Sequence, residues 1–226
     1  MCGNVDAPRA SAPPAIRVFK PDAPSRFVVD ANELSLRSYD PRDDAAVWAL
    51  HEWAMRETGV DPSDIPGTDD LRSVAASYLD AGGAFVVGVV DAVDADQSPD
   101  DPSPERQSVD SAASRAPDQL ATHDGTLAAM GGYVPNEAGH GDERDRPGAA
   151  ELHRMRVAPP YQRRGYGRAL LDELERRAAS GGFETLLATT STRQPAALDF
   201  YASRGYERTD TSTAGAYELV HFEKEL

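Results

Sequence analysis

The sequence predicts a mixed α/β domain with helices packed against a central sheet, and three observations predict it. From about residue 33 onward, segments of strand-like alternation take turns with segments of helical period. The longest apolar run, from Ala84 to Val90, suits a buried strand and is far short of the roughly 20 residues a membrane helix needs. A Gly-x-Gly pair, Gly165 and Gly167, joins one predicted strand to the best-specified helix. Strands and helices in alternation favour layers of helix on sheet.

Taken in order, residues 33–39 alternate Leu34 and Leu36 with polar neighbours, as a half-buried strand does. Asp43 or Asp44 can cap a helix carrying Val47, Leu50 and Trp53/Ala54 on one face, and Thr68 can cap another that runs to Leu79 and stops at Gly82-Gly83. Residues 85–90 and 126–134 read as a strand pair, and 151–157 as a strand ending at Pro159-Pro160. The helix over 167–179 has a buried stripe of Leu170, Leu171, Leu174 and Ala178, with Asp172–Arg176 and Glu173–Arg177 as outward i,i+4 pairs. A strand (185–190), a helix (195–204) and a closing strand (216–224) complete the domain.

Three stretches interrupt this order. Residues 1–32, with Pro8, Pro13, Pro14, Pro21 and Pro24, are expected to be a disordered N-terminal extension. Residues 92–124 form an acidic, low-complexity insertion: from Asp91 to Asp124 there are nine acids, two arginines (Arg106, Arg115) and almost no large apolar residue. Such a stretch buries too little surface to offset its ordering entropy. Residues 136–148 are a third polar loop. The folded domain is then 33–226, and 226 residues suit one domain rather than two.

The formal net charge is −15, which disfavours non-specific binding to nucleic-acid phosphates or an anionic membrane. The charge is unevenly spread. Residues 1–150 hold 27 acids and 12 bases, whereas residues 151–226 hold 11 of each. The single cysteine, Cys2, excludes an internal disulfide framework and a multi-cysteine zinc site. His51, His123, His140, His153 and His221 show no metal-ligand spacing, so no metal is expected. The cytoplasm is the expected compartment, because the Pro-rich N-terminus has no secretory apolar region.

Chemistry concentrates where the acids stop. Between Leu152 and Leu171 there is no acid, but there are five arginines: Arg154, Arg156, Arg163, Arg164 and Arg168. Two glycines permit close backbone approach, and the first turn of a helix offers unpaired N–H groups at the positive end of its dipole. The segment Gln162-Arg163-Arg164-Gly165-Tyr166-Gly167-Arg168 therefore reads as an anion cradle.

The order Glu151-Leu-His-Arg-Met-Arg-Val157, then Gln162-x-x-Gly165-x-Gly167, then a helix with Leu170-Leu171, closely resembles the acetyl-CoA-binding motif of the GNAT superfamily of N-acetyltransferases. Downstream, Gln194-Pro-Ala-Ala-Leu-Asp-Phe-Tyr201 through Gly205-Tyr206 is similar to the family's second hallmark. The resemblance covers residues 33–226. It implies a GNAT-like fold with a central mixed, mostly antiparallel sheet, flanked by helices and splayed at the acyl-CoA site. It implies acetyl-CoA as co-substrate, with the backbone of Met155, Arg156 and Val157 pairing with pantetheine and the N–H groups of Arg163 through Arg168 holding pyrophosphate. Gln162 opens this motif. Gln194 stands where the family often has Asn in contact with cofactor or acceptor.

Two catalytic residues follow from the resemblance. Tyr201 matches the tyrosine that protonates the departing CoA thiolate; as a plain helix aromatic it would pack beside Phe200. Glu151 lies where some relatives place the carboxylate that deprotonates the amine; otherwise it is a strand residue paired with an arginine. His153, in phase with Glu151 and Met155, is an auxiliary proton carrier or ordinary packing. The implied acceptor is a small-molecule or peptide amine, and the family's common assembly is a homodimer. The competing function is a CoA-binding sensor or interaction module without catalysis. With only two lysines against 21 arginines, and 24 aspartates against 14 glutamates, the composition also resembles that of proteins from halophilic archaea; a GC-rich genome would produce a similar bias.

Overall fold

The computed structural model describes residues 28–29, 34–57, 68–91, 118–136 and 146–226. Residues 1–27 of the expected extension, most of the acidic insertion (92–117) and most of the polar loop (137–145) lie outside the described residues. Among the described residues nine strands form one sheet: β1 (Val28–Val29), β2 (Leu34–Ser38), β3 (Ala84–Val90), β4 (Ala121–Thr122), β5 (Gly125–Pro135), β6 (Ala149–Val157), β7 (Thr185–Ser191), β8 (Glu207–Ala214) and β9 (Tyr217–Glu225). Three α-helices accompany them: α1 (Asp44–Glu57), α2 (Tyr166–Ser180) and α3 (Pro195–Ser203). No helix among the described residues is long and apolar enough to cross a membrane.

The strand order is β1-β2-β3-β5-β6-β7-β9-β8, with β4 folded back onto β5. Every pairing is antiparallel except β6 with β7, which the α2 crossover makes parallel. The mixed, mostly antiparallel sheet implied by the sequence is therefore present. Its two faces carry separate cores. Leu170, Leu171, Leu174 and Ala178 of α2 cover one face with Ala150, Leu152, Leu186 and Tyr201. On the other face Val47 and Leu50 of α1 pack with Leu71, Val74 and Tyr78 against Phe85, Val87, Leu127 and Met130.

Several local expectations are corrected. The first helix is entered through a 3-10 turn, Pro41–Asp43, capped by Asp40, and Asp43 closes a reciprocal capping box. Asp43, fully buried, accepts from Asp40 N and also lies under Arg37, whose guanidinium reaches Asp43 at 2.6 and 2.8 Å and Asp124 at 2.7 and 2.8 Å. That fork fastens the end of the acidic insertion to the first helix. The helix expected over 68–79 is instead a 3-10 segment, Thr68–Arg72, followed by a π-helix, Ala75–Leu79. On α2, Arg176 turns to Glu173 rather than Asp172, so Glu173 holds both Arg176 (2.8 Å) and Arg177 (2.7 Å). Two residues of the expected extension, Val28 and Val29, pair with β2.

Candidate functional site

The site is built on the break in one strand. β6 pairs with β7 through only four residues, from Ala149↔Thr185 to Leu152↔Ala188. Beyond that point β7 continues beside β9 as far as Ser191↔Leu219, while β6 stays with β5 as far as Ala129↔Val157. The two strands thus part after Leu152, and among the described residues the β6–β7 ladder does not reach 153–157. Two carbonyls in this stretch are met by side chains: Arg156 Nη1 donates to the Met155 carbonyl at 2.9 Å and Gln162 Nε2 to that of Val157 at 3.1 Å.

A bulge accompanies the parting. Between Gly132↔His153 and Met130↔Arg156 the β5 strand spends one residue, Gly131, and β6 spends two, Arg154 and Met155. Arg154 takes the left-handed conformation, φ 57°. A Cβ on Gly131 would lie 2.6 Å from Met155 Sδ, so a side chain there would have to push that thioether aside. The extra residue reverses the alternation: Met155 and Val157 join the α2-side core, while the Arg156 guanidinium reaches Met55 of α1 on the other face, Nη2 to Sδ 3.7 Å. The expectation that His153 stays in phase with Met155 is therefore corrected.

After a 3-10 turn, Pro159–Tyr161, the chain enters α2 through two left-handed residues, Arg163 at φ 62° and Gly165 at φ 86°. Nothing lies within 4 Å of a Cβ built on Gly165, so its glycine answers the backbone angle and not crowding. No side chain caps α2, which leaves its first turn open to an anion. Tyr166 is buried and stacks on Tyr161 with centroids 6.2 Å apart, fixing the turn to the core. Gly167 faces Val157 and Phe200 at ordinary contact distance. Arg164 lies over the Tyr161 ring at 5.5 Å, and Arg168 Nε approaches Asp172 at 3.6 Å.

Tyr201 of α3 is buried among Phe200, Tyr206 and Phe222. Burial pushes its phenol up to about 12, against the opposing charge of Arg156. It is therefore protonated at neutral pH. Gln194, the N-cap residue of α3, receives a hydrogen bond from Thr190 Oγ1 on its Oε1 at 2.8 Å and so ties the helix to the end of β7.

Glu151 is 3% exposed and sits at the vertex of the gap. Asn136 Nδ2 donates to its Oε2 and Thr189 Oγ1 to its Oε1, each at 3.3 Å. The contacts continue from Thr189 Oγ1 to His221 Nδ1 at 3.0 Å and from His221 Nε2 to Ser212 Oγ at 2.8 Å. A buried carboxylate is thereby connected through a hydroxyl and an imidazole to the outermost strand, β8. Sequence reading missed this chain because its members sit on four strands.

It also missed the cluster on the α1 side. Arg154 Nε donates to Asp70 Oδ2 at 2.9 Å, and the same oxygen receives the Tyr78 hydroxyl at 2.5 Å. Burial and Asp70 push the Tyr78 phenol well up. His51 of α1 is fully buried, with no hydrogen-bond partner on either ring nitrogen among the described residues. Burial, then Arg156 and Arg154, hold its pKa down at about 4. A signal existed: strict alternation over Glu151 to Val157 would have put Arg154 and Arg156 in the core with Leu152, a conflict that only a bulge resolves. Among the described residues no His, Cys, Asp and Glu side chains gather as a group of three for a metal ion.

The acetyltransferase (GNAT) family model matches residues 87–206, from β3 to the turn after α3. Among solved structures, a GNAT-family acetyltransferase from Staphylococcus aureus Mu50 superposes with a TM-score of 0.58 at 13% identity, over 85% of this chain and 98% of that one. A ribosomal-protein-S18-alanine N-acetyltransferase from Escherichia coli gives 0.53 at 17%, over 85% and 93%. An acetyltransferase from Salmonella typhimurium, solved with its cofactor acetyl-CoA, gives 0.54 at 16%, again over 85% and 93%. At these identities the likeness is one of fold. No match is found among curated proteins.

Proposed function

Because the chain belongs to the acetyltransferase (GNAT) family, whose pattern spans more than half of it, we propose that it moves an acetyl group from acetyl-CoA to an amine by direct attack in a ternary complex. The observation that carries this reading is the gap between β6 and β7, which opens beside the left-handed turn at Arg163 and Gly165. The backbone of Met155, Arg156 and Val157, beside which β7 no longer runs, suits the amide-rich pantetheine arm as an added strand, with the side-chain contacts of Arg156 and Gln162 on the Met155 and Val157 carbonyls giving way. The N–H groups of residues 163–168 suit the pyrophosphate at the positive end of α2. The side chain of Gln162 fastens the turn to Val157. Gln194 acts by seating α3, and with it Tyr201.

In the reaction the amine must first lose its proton. Glu151 takes it, and the path through Thr189, His221 and Ser212 carries it toward β8. The nitrogen then bonds to the thioester carbon, and the carbon–sulfur bond breaks as the tetrahedral adduct collapses. The leaving thiolate receives the Tyr201 proton, which burial keeps on the phenol at neutral pH, and the phenolate is restored by the proton that the new amide nitrogen sheds. No cysteine adduct is needed, and the sole cysteine, Cys2, precedes the domain.

Free-thiol release from acetyl-CoA, measured across small amines and peptide N-termini at low and at molar salt, tests this reading. Turnover with at least one amine supports it. Tight acetyl-CoA binding with no transfer to any acceptor would favour a sensor of the same fold. A sharp gain of folding stability in molar salt would fit the proposed halophilic origin. A cytoplasmic location and a homodimeric assembly remain part of the same proposal, the latter read by light scattering.

A further inference from the structure

In a chain with an excess of fifteen acids, one inward-facing guanidinium has no acid to meet. Arg37 is held by Asp43 and Asp124, Arg154 by Asp70, Arg177 by Glu173 and Arg204 by Asp172. Among the described residues no carboxylate reaches Arg156. Its Nη1 is spent on the Met155 carbonyl, its Nη2 rests on the Met55 thioether, and its Nε is buried with no hydrogen-bond partner. A thioether is a weak acceptor. A half-buried cation without a counter-charge is less favourable than one that a ligand supplies with its charge.

The location gives that ligand a place. Arg156 belongs to the stretch of β6 that has parted from β7, lies opposite Met130 of β5 and faces α1. It is near enough to Tyr201 for each to act on the other's ionisation. Burial, then Arg154, lowers the Arg156 guanidinium to about 10, so it still carries its charge at neutral pH. The local charge is also simple. Arg154 and Asp70 cancel, and His51 is neutral at pH 7. The guanidinium of Arg156 is thus left for an incoming anion, while Glu151 five residues earlier on β6 serves the amine.

Resting on the acetyl-transfer reading, we infer that Arg156 is a carboxylate subsite beside the reacting atoms, so that the acceptor is an amine that also carries a carboxylate group. The guanidinium fork holds the carboxylate through Nε and Nη2, displacing the thioether contact, and thereby fixes the direction from which the amine approaches. A carboxylate on the acyl group of the donor would use the same fork.

Isothermal titration calorimetry separates these cases. Acetyl-CoA is titrated first, and failure to bind would sink the parent reading alone. The CoA-saturated protein is then titrated with N-acetylglycine, which is anionic, and with its neutral N-methylamide. The acid should bind about tenfold or more tighter than the amide, a preference that shrinks to about onefold in Arg156→Met and survives in part in Arg156→Lys. Each ratio is taken within one protein, so a change in CoA affinity cancels, and Arg156→Lys covers the case in which Arg156→Met does not fold. Equal binding of acid and amide, binding of neither while CoA binds, or a preference that persists in Arg156→Met overturns the subsite. Succinyl-CoA binding about tenfold tighter than acetyl-CoA, again only with Arg156 or Lys, keeps the subsite and assigns the carboxylate to the donor instead of the acceptor.

Discussion

The guanidinium of Arg154 donates from Nε to Asp70 Oδ2 at 2.9 Å, joining two residues 84 positions apart. One end of that contact is the left-handed residue of the β6 bulge, and the other is a buried carboxylate that also accepts from Leu71 N and the Tyr78 hydroxyl. A backbone angle that disfavours an L-residue by about 1–2 kcal/mol is thereby held by an anchor in the 3-10 segment Thr68–Arg72. The anchored bulge follows His153, the residue after Leu152, which is the last position at which β6 is paired with β7.

Asp70→Asn should therefore cost about 3 kcal/mol of stability, because it leaves a largely buried guanidinium without its charge partner. It should raise the KM for acetyl-CoA more than it lowers kcat. Urea unfolding and initial rates check both. Arg154→Gly, which relaxes the backbone but loses the anchor, should show the same rise in KM; a normal KM there would separate the bulge from ligand binding.

Tyr201→Phe should lower kcat about 100-fold, the scale of a lost general acid. Its thermal midpoint should stay nearly unchanged, since the ring contacts with Phe200, Tyr206 and Phe222 remain and no hydrogen bond of the hydroxyl is lost among the described residues. An unchanged kcat would return Tyr201 to a packing role.

The path from Glu151 to Ser212 makes a distinct prediction. Thr189→Val and His221→Phe interrupt it at successive contacts. Each should lower kcat/KM about tenfold near neutral pH, with activity recovering toward pH 10 as the amine loses its proton to solvent unaided. A pH–rate profile from 6 to 10 reads this directly. A loss equal at every pH would mean that the contacts hold the sheet and move no proton.

His51 ties stability to pH. Its folded pKa of about 4 lies below the unfolded value of 6.5. Above pH 6.5 both states are neutral there and the residue has no effect. Between 6.5 and 4 the unfolded chain binds a proton that the folded chain refuses, so stability falls as pH falls, and the loss levels off below 4. Burial dominates this shift, with Arg156 and Arg154 adding to it and Asp70 opposing it. His51→Leu should lose stability less steeply than the parent protein between pH 7 and pH 5 in denaturant titrations. Parallel slopes would refute the assignment.

Much of the fold was legible because its signals are local. The β6–turn–α2 unit announces itself through Gly165, Gly167 and the Leu170/Leu171/Leu174 stripe, and the structure agrees to within a residue or two at each end. β8 was missed for a physical reason. Glu207 to Ala214 lies at the sheet edge, is mostly exposed and buries no large apolar side chain, so it has no alternation to read. Its strand identity comes from pairing with β9. The site divides in the same way. The glycine turn into α2, where the anion cradle is proposed, could be read from consecutive residues, whereas Asp70–Arg154 and Thr189–His221 are contacts between distant segments whose partners no local pattern names.

The one-residue bulge at Arg154 and Met155 has a consequence for how this strand can vary. Before it, even-numbered positions belong to the core and odd-numbered ones to the cleft; after it the parity is exchanged. The strand carries two substitution codes in nine residues. Straightening the bulge with all nine residues kept would turn Met155 and Val157 away from the α2-side core and drive Arg156 into it, whereas deleting one of the two bulge residues would restore a plain ladder with all three on their present faces. Specificity at this site is thus encoded by a count of residues as much as by their identity.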